Sequence, residues 1–376
     1  MRVALIVPAG VGRDGVHLVI PALLDLVEAL AAGHSVLVAA LDQEPEPAGY
    51  DLRGARVVCL GQDRRRGPRF ARLMGALRPF RPDVVHSFWL GATSSLALLA
   101  GRGLGAPTVA SLGGGELVAL PRISYGGRLD AGTRLHAGLA LRLAAAVTAG
   151  SAYALAPLLR RRPDARRVPL GARAAGEPAP LERPAGPPWS LLHIASINRV
   201  KGPEVLLRAV AAARAELRAT TGHPEPMALD WVGQDVLGGE AQALAAALGL
   251  GGAVRFHGWR PHAAVVALCR SAHLYLQASY HESQGVAVCE AAAAGAPTVG
   301  TAVGLVAELA PAAAVAVPPG DPAALGRAIA ATLRDPARRE ALGRAAQAWA
   351  LAHDAAWTAR AFTGIYAATL GRPCAR

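Results

Sequence analysis

Along residues 1–41 the apolar positions follow two rhythms in turn. Residues 1–8 (MRVALIVP) form a short, nearly unbroken apolar run, the pattern of a strand buried on both faces of a parallel sheet. A loop bearing Gly10, Gly12 and Gly15 follows, after which Leu23, Leu26, Val27 and Leu30 recur at helical spacing. Gly33 and His34 punctuate the end of that helix, and residues 35–41 make the next apolar run. Strand, glycine loop, helix, strand is a βαβ unit. The alternation recurs with strands expected over 84–86, 108–112 and 145–148. A second series opens at 189–197, with a helix after Lys201-Gly202-Pro203, where Pro203 suits a first helical position. Further strands are expected over 227–232, 254–257, 273–277, 298–300 and 314–317, and helices begin at Asp321-Pro322 and Asp335-Pro336. Residues 171–188 are crowded with Pro, Gly and Ala and have no period. The pattern predicts an α/β chain of two doubly wound parallel-sheet domains, over 1–175 and 189–352, with a linker over 176–188.

Composition narrows the class. Hydrophobic residues make up 52% and aromatic residues 5%, so the cores pack with Ala, Val and Leu, and disorder is excluded for most of the chain. Cys59, Cys269, Cys289 and Cys374 have no C-x-x-C pairing and no nearby His at zinc spacing. That argues against a disulfide scaffold or structural zinc and fits a reducing, cytoplasmic setting. Arg13, Asp14, Asp25 and Glu28 interrupt the first apolar runs, unlike a signal peptide. The most apolar window, 285–307, holds Glu290, Pro297 and several glycines, and reads as helix, turn and strand rather than a membrane span.

Charge adds two features. There are 39 basic and 27 acidic residues, a formal +12, and Lys201 is the only lysine. Asn198, three residues earlier, is the only asparagine. In a chain that uses Arg almost everywhere, a surviving Lys marks a place that needs a compact ammonium. The excess is also lopsided, +9 over residues 1–185 and +3 over 186–376. Arg64, Arg65 and Arg66, with Arg69 and Arg72, precede a helix carrying Phe70, Leu73, Met74 and Leu77; Arg160 to Arg162 form a second cluster. These are either solvated faces or a peripheral contact with an anionic membrane at the inner face. No aromatic-interleaved patch or reading motif points to nucleic acid.

Three segments carry candidate chemistry. Ser196-Ile197-Asn198-Arg199-Val200-Lys201-Gly202 leaves a strand and enters a helix, at the end of a parallel strand where open α/β sheets bind ligands. There Arg199 and Lys201 offer donors to a phosphate. Glu282 and Glu290 bracket SQGVAVC: Glu282 lies in a loop, Gly285 opens a helix, and Glu290 falls about one turn inside it. Free N–H groups at such a helix start receive phosphate or sugar oxygens, and a carboxylate beside them accepts from sugar hydroxyls. Glu290 sits among Val and Ala, so it needs either a ligand or a basic partner. The loop Gly10 to Gly15 lacks the third glycine of a dinucleotide fingerprint but lets backbone approach a pyrophosphate.

The segment Ser279-Tyr280-His281-Glu282-Ser283-Gln284-Gly285-Val286-Ala287-Val288-Cys289-Glu290-Ala291, followed by Gly295-Ala296-Pro297-Thr298-Val299, resembles the signature of the retaining, GT-B-fold glycosyltransferases of family 4, the glycosyl transferases group 1. Gly33-His34, Pro82-Asp83-Val84-Val85-His86, Val168-Pro169-Leu170-Gly171, Lys201-Gly202 and Trp231-Val232-Gly233 resemble the same family in the same order. The resemblance implies two Rossmann-like domains facing a central cleft, with a final helix over 353–376 crossing back to the first. It also implies hexosyl transfer from a nucleotide-diphosphate sugar to a glycan, lipid-linked or small-molecule acceptor, with retention and no metal or cofactor.

On that pattern Glu282, Lys201 and Arg199 are the catalytic candidates. Glu290 would hold the ribose, and Gln284, Gly285, Val286, Ser196, Asn198 and Gly12 would complete the donor site. Arg13, His17, His86, Gly114 and Glu116 are the acceptor-side candidates. Two positions depart from the pattern: Ser196 stands where the family often has Arg, and Gly113 where it has a donor-contacting His. Two other classes share these features. A sugar-nucleotide epimerase of the same fold would turn over donor without acceptor, and a binding protein would hold it without turnover.

Overall fold

The apolar run at the start becomes β1 (Arg2–Val7), central in its sheet, and its alternation feeds two layers. Val3, Leu5 and Val7 pack into one hydrophobic cluster, Ala4 and Ile6 into another on the opposite face. The computed structural model describes residues 1–62, 66–173 and 183–371, Arg66 by its backbone alone. Arg64, Arg65, the Arg66 side chain, residues 176–182 of the expected linker and Cys374 lie outside the described residues. The chain divides into two units, Met1–Arg173 with His353–Arg376, and Ala174–Ala352.

In the first unit β1 is followed by α1 (Pro21–Ala31), β2 (Ser35–Ala40), β3 (Ala48–Leu52), β4 (Ala55–Cys59) and α2 (Arg66–Phe80). Then come β5 (Val84–Phe88), α3 (Ala92–Leu104), β6 (Thr108–Leu112), α4 (Ala131–Leu143), β7 (Ala146–Ala149), α5 (Ala152–Leu159) and β8 (Arg166–Arg167). Among the described residues these strands form one sheet in the order β3-β4-β2-β1-β5-β6-β7-β8, parallel except for β3 against β4. That hairpin is a feature the apolar pattern did not predict. Arg53 and Gly54, both at positive φ (52° and 79°), make its tight turn.

The second unit contains β9 (Trp189–Ile194), α6 (Pro203–Thr221), β10 (Met227–Val232), α7 (Glu240–Ala247), β11 (Val254–Gly258), α8 (His262–Ser271) and β12 (Leu274–Gln277). It continues with α9 (Val286–Ala293), β13 (Thr298–Thr301), α10 (Gly304–Leu309), β14 (Ala314–Val317), α11 (Pro322–Arg334) and α12 (Pro336–Ala352). Its sheet is parallel, in the order β11-β10-β9-β12-β13-β14. The window 285–307 is helix, turn and strand, as its glycines and Pro297 predict, and no described helix is long and apolar enough to cross a membrane. Arg183 donates to the carbonyls of Cys269, Ala294 and Gly295, fixing a cation at the carboxyl ends of α8 and α9.

The last helix, α13 (Ala355–Leu370), packs against the first sheet through Phe362, Ile365 and Tyr366. Its Tyr366 hydroxyl bonds His86 Nδ1 at 2.7 Å, while His86 Nε2 meets Ser111 Oγ at 2.7 Å. Burial pushes the His86 imidazole down to about 3, and His193 on β9 down to about 4. Both stay neutral in the folded chain, whereas in the unfolded chain they take up a proton below their ordinary value near 6.5. Stability conferred by each is therefore complete above pH 6.5 and is lost as pH falls toward 4. The slope is about 1.4 kcal/mol per pH unit for each histidine. Urea midpoints measured at pH 7, 6 and 5 should fall steadily, and a flat series would contradict this.

Candidate functional site

In the second sheet the chain moves outward from β9 to β10 and β11, then returns to β12 on the other side of β9. The crevice at the carboxyl ends of β9 and β12 is thus the topological switch point, where open α/β sheets take ligands. The loop after β9 ends in a 3-10 turn over Arg199–Lys201, capped by Asn198, whose Oδ1 accepts from the Lys201 amide at 3.3 Å. Gly202 closes the turn at φ +63°, and a Cβ there would lie 2.3 Å from the Ala278 carbonyl oxygen. Only glycine lets this loop rest on the loop after β12, and the Tyr280 amide donates to Val200 O at 2.8 Å across the same contact.

This packing brings the lone lysine onto the first glutamate. Lys201 Nζ donates to Glu282 Oε1 at 2.6 Å, and Ser279 Oγ donates to the same oxygen at 2.7 Å. The side chains are 26% and 13% exposed, enough to meet a ligand yet shielded enough for charge to matter. From the other side α10 braces the loop: Gly304, at φ +55°, has space for no Cβ beside Gln284 O, to which the Leu305 amide donates at 2.7 Å. Gly285, at φ +87°, then turns the chain into α9 with Val286 first. The Val288 amide donates to Gly285 O at 2.9 Å, while the Val286 and Ala287 amides have no acceptor within the helix and present its positive pole. Beneath lies His193, whose Nδ1 donates to Leu276 O at 2.7 Å; its Nε2 has no hydrogen-bond partner among the described residues.

The other expected members make contacts of their own. Glu290 Oε1 lies 3.2 Å from Nε2 of His262, at the start of α8, and is 10% exposed. The partner its apolar setting requires is a histidine that no spacing pattern marks. Gln284 has a buried side chain that donates to Cys289 Sγ at 3.4 Å, and its carbonyl holds the Leu305 amide. Arg199 does not join Lys201: its guanidinium pairs with Glu240 Oε1 at 3.1 Å on the surface. Ser196 is exposed in the loop after β9, and Asn198 serves as the cap.

In the first sheet the switch point lies between β1 and β5. The glycine loop after β1 is pinned from within: Gln43 Oε1 accepts from the Gly10 and Val11 amides at 2.8 and 2.9 Å, and Tyr50 OH donates to Val11 O at 2.7 Å. A Cβ on Gly12 would lie 2.0 Å from the His17 carbonyl. Arg13 lies over the Tyr50 ring at 5.1 Å. Asp14 bonds His17 Nδ1 at 2.6 Å and the amides of Val16 and His17, which hold its carboxyl at about 2.

After β5, Trp89 adopts φ +68°, a rare conformation for a bulky residue. Its indole covers Gly113 so closely that a Cβ would sit 2.7 Å from the ring. The space that a side chain at 113 would take is filled by tryptophan. Two acceptor-side expectations are corrected here. His86 is fully buried between Tyr366 and Ser111 and holds α13 to the sheet; it does not face a substrate. Glu116 is buried, and its carboxylate accepts from the amides of Leu90, Gly113 and Gly114 at 3.0, 3.1 and 2.7 Å. It shapes the Gly113–Gly115 loop, and Gly114 supplies one of the clamped amides.

Comparison with known proteins supplies the family. The model of the glycosyl transferases group 1 matches residues 182–349, and that of the glycosyl transferase 4-like domain matches 19–171. D-inositol 3-phosphate glycosyltransferase 1 of Catenulispora acidiphila is 36% identical over 174 residues, 44% of this chain and 40% of that protein. The D-inositol 3-phosphate glycosyltransferase of Salinispora tropica is 35% identical over 171 residues, 42% of this chain and 34% of its own length. The chain thus matches less than half the length of these relatives. Among solved structures, Anabaena HepE in complex with UDP and glucose aligns over 98% of this chain and 100% of its own, with TM-score 0.73 and 17% identity. Sucrose-phosphate synthase from Thermosynechococcus elongatus aligns over 98% of each chain, with TM-score 0.74 and 22% identity. With two family domains matched in order along most of its length, and the fold shared with these structures, the chain belongs to the group 1 glycosyltransferases of GT-B fold.

Proposed function

We propose that the chain moves a sugar from a nucleotide-diphosphate sugar to an acceptor with retention at the anomeric carbon. The observation that carries this reading is the Lys201–Glu282 pair set beside the first turn of α9 at the β9/β12 switch point. An ammonium has three donors, and one lies on Glu282, which aims the group while two remain for phosphate oxygens. As the bond to the sugar breaks, negative charge grows on the departing diphosphate. Lys201 and the amides of Gly285 and Val286 are fixed in advance where that charge develops. Glu282 accepts from hydroxyls of the donor sugar, and Glu290 from those of the ribose. That HepE was solved with UDP and glucose, and a second chain with UDP-2-fluoro glucose, supports this class of donor.

Positive charge supplied by the chain itself is the basis for proposing transfer without a metal. Transfer in excess EDTA should stay within twofold of the untreated rate, and a tenfold loss would overturn that part. The acceptor is a glycan, a lipid-linked sugar or a small polyol; the relatives named for D-inositol 3-phosphate support the last. A cytoplasmic setting belongs to the proposal, and buried thiols at Cys59, Cys269 and Cys289 are in keeping with it.

The direct test is a thermal-shift screen of UDP-, GDP- and ADP-sugars, since a ligand at 100 times its Kd stabilises by about 2.7 kcal/mol. The hit is then offered candidate acceptors. A clear shift and sugar transfer are expected. Donor epimerised without acceptor, or bound without turnover under every acceptor, would replace transfer by one of the other two activities.

A further inference from the structure

The surface of the first unit carries a helix that is apolar on its outer face as well as its inner one. Helix α4 reads AGTRLHAGLALRL; Ala137, Ala140 and Leu141 are buried on its inner face. Its outer face would ordinarily be polar. Instead Leu135 is 62% exposed, and Leu139 and Leu143, one and two turns on, are exposed with it. The neighbouring helix α3 adds Leu99, 58% exposed, and the Ser95–His136 hydrogen bond of 2.8 Å holds the two helices side by side. These leucines make a continuing stripe rather than the scattered apolar residues of an ordinary surface.

The charge around the stripe is predominantly basic. Neither α3 nor α4 contains an acidic residue, while Arg102, Arg134 and Arg142 are exposed on them. The arginine run after α5 is brought to the same place. Arg162 donates to Leu141 O and Ala144 O at the carboxyl end of α4, at 2.8 and 3.0 Å, and leaves Arg160 and Arg161 exposed beside it. Two carboxylates flank α4, Asp130 as the cap of the Thr133 amide and Asp164 paired with Arg162, and the arginines on and beside the two helices outnumber them. A soluble acidic partner would not need the leucines, and a neutral apolar one would not need the arginines. Both are met together by a bilayer with anionic headgroups over an acyl boundary.

We propose that the outer face of α4, with Leu99 of α3, docks the chain on an anionic lipid surface, the leucines entering the headgroup boundary and the arginines meeting the phosphates. This surface is distinct from the nucleotide-sugar site, and it is independent of which donor or acceptor the chain uses.

The test is co-sedimentation of the whole chain with phosphatidylglycerol-containing vesicles, against pure phosphatidylcholine vesicles. Binding to the anionic vesicles at low salt is expected, at least tenfold stronger than to the neutral ones, and weaker as salt rises. The double variant Leu135→Gln, Leu139→Gln and the single variant Arg142→Glu should each lower it at least tenfold. Their thermal midpoints should stay at that of the parent, because all three positions are exposed. Equal partition onto both vesicle types, or undiminished binding of the leucine double variant, would overturn the proposal. So would a parent that is dimeric in solution and a double variant that is monomeric, because a second copy would then be what covers the stripe.

Discussion

Changing Lys201 to Ala is expected to slow sugar transfer by about a hundred- to a thousandfold, the range seen when one preorganised donor to developing charge is removed. The reasoning rests on where its ammonium is held. Glu282 and, through it, Ser279 fix Nζ at the mouth of the switch point, so little reorganisation is needed when charge reaches the diphosphate. Because that charge is larger in the transition state than in the bound donor, kcat should fall more than KM rises. Lys201→Arg should recover little: a planar fork does not fit where a compact ammonium meets one carboxylate oxygen. The thermal midpoint without ligand reports whether the fold survives loss of the partner to Glu282. Transfer within threefold of the parent in a folded Lys201→Ala protein would remove the lysine from the chemistry.

Glu290→Gln is expected to weaken nucleotide binding by about ten- to a hundredfold, the scale of one or two hydrogen bonds to a charged acceptor. The substitution keeps the shape of the side chain and one oxygen, so α9 should fold as before. It removes the charge that ribose hydroxyls would donate to. Titration calorimetry with the nucleoside diphosphate alone isolates the effect from sugar and acceptor. His262→Ala offers a control, since it takes away the protein partner of Glu290 while leaving its carboxylate. Unchanged affinity of Glu290→Gln would return Glu290 to a purely structural pair with His262.

Local chemistry made much of the second unit readable before any coordinates. Pro203, Pro322 and Pro336 each begin a helix, and Gly285 opens α9 at a positive φ that glycine tolerates. Strands 108–112, 227–232 and 314–317 coincide with observed ones, because buried parallel strands are mostly apolar, Asp230 being tolerated in the second through its bonds to Arg255 and His257. The hairpin β3-β4 escaped because it lies at the sheet edge. Its short strands alternate Tyr50 and Leu52 with exposed polar neighbours, and so look like loop.

Side-chain partnerships were harder to read, for a geometric reason. Trp89 reaches Gly113 across two neighbouring strands, Gln43 reaches Gly10 from the next strand end, and His262 reaches Glu290 from a different helix. None of these pairs has a fixed spacing along the chain. The singletons Asn198 and Lys201 were the exception, since the turn that joins them is itself local.

The bond between His86 and Tyr366 has a consequence for how the molecule is made. The two residues are 280 positions apart, and all of the second unit is translated between them. Domains generally fold as units as they leave the ribosome, the earlier-made part first. Here the second unit is one unbroken stretch and can close while the peptide is still growing. The first sheet has to wait, its Phe88 and Val168 uncovered, until α13 arrives to complete the cluster that holds them. Of the two units, the one whose translation starts earlier is therefore the one that finishes folding later, and during that interval its uncovered apolar face is open to aggregation.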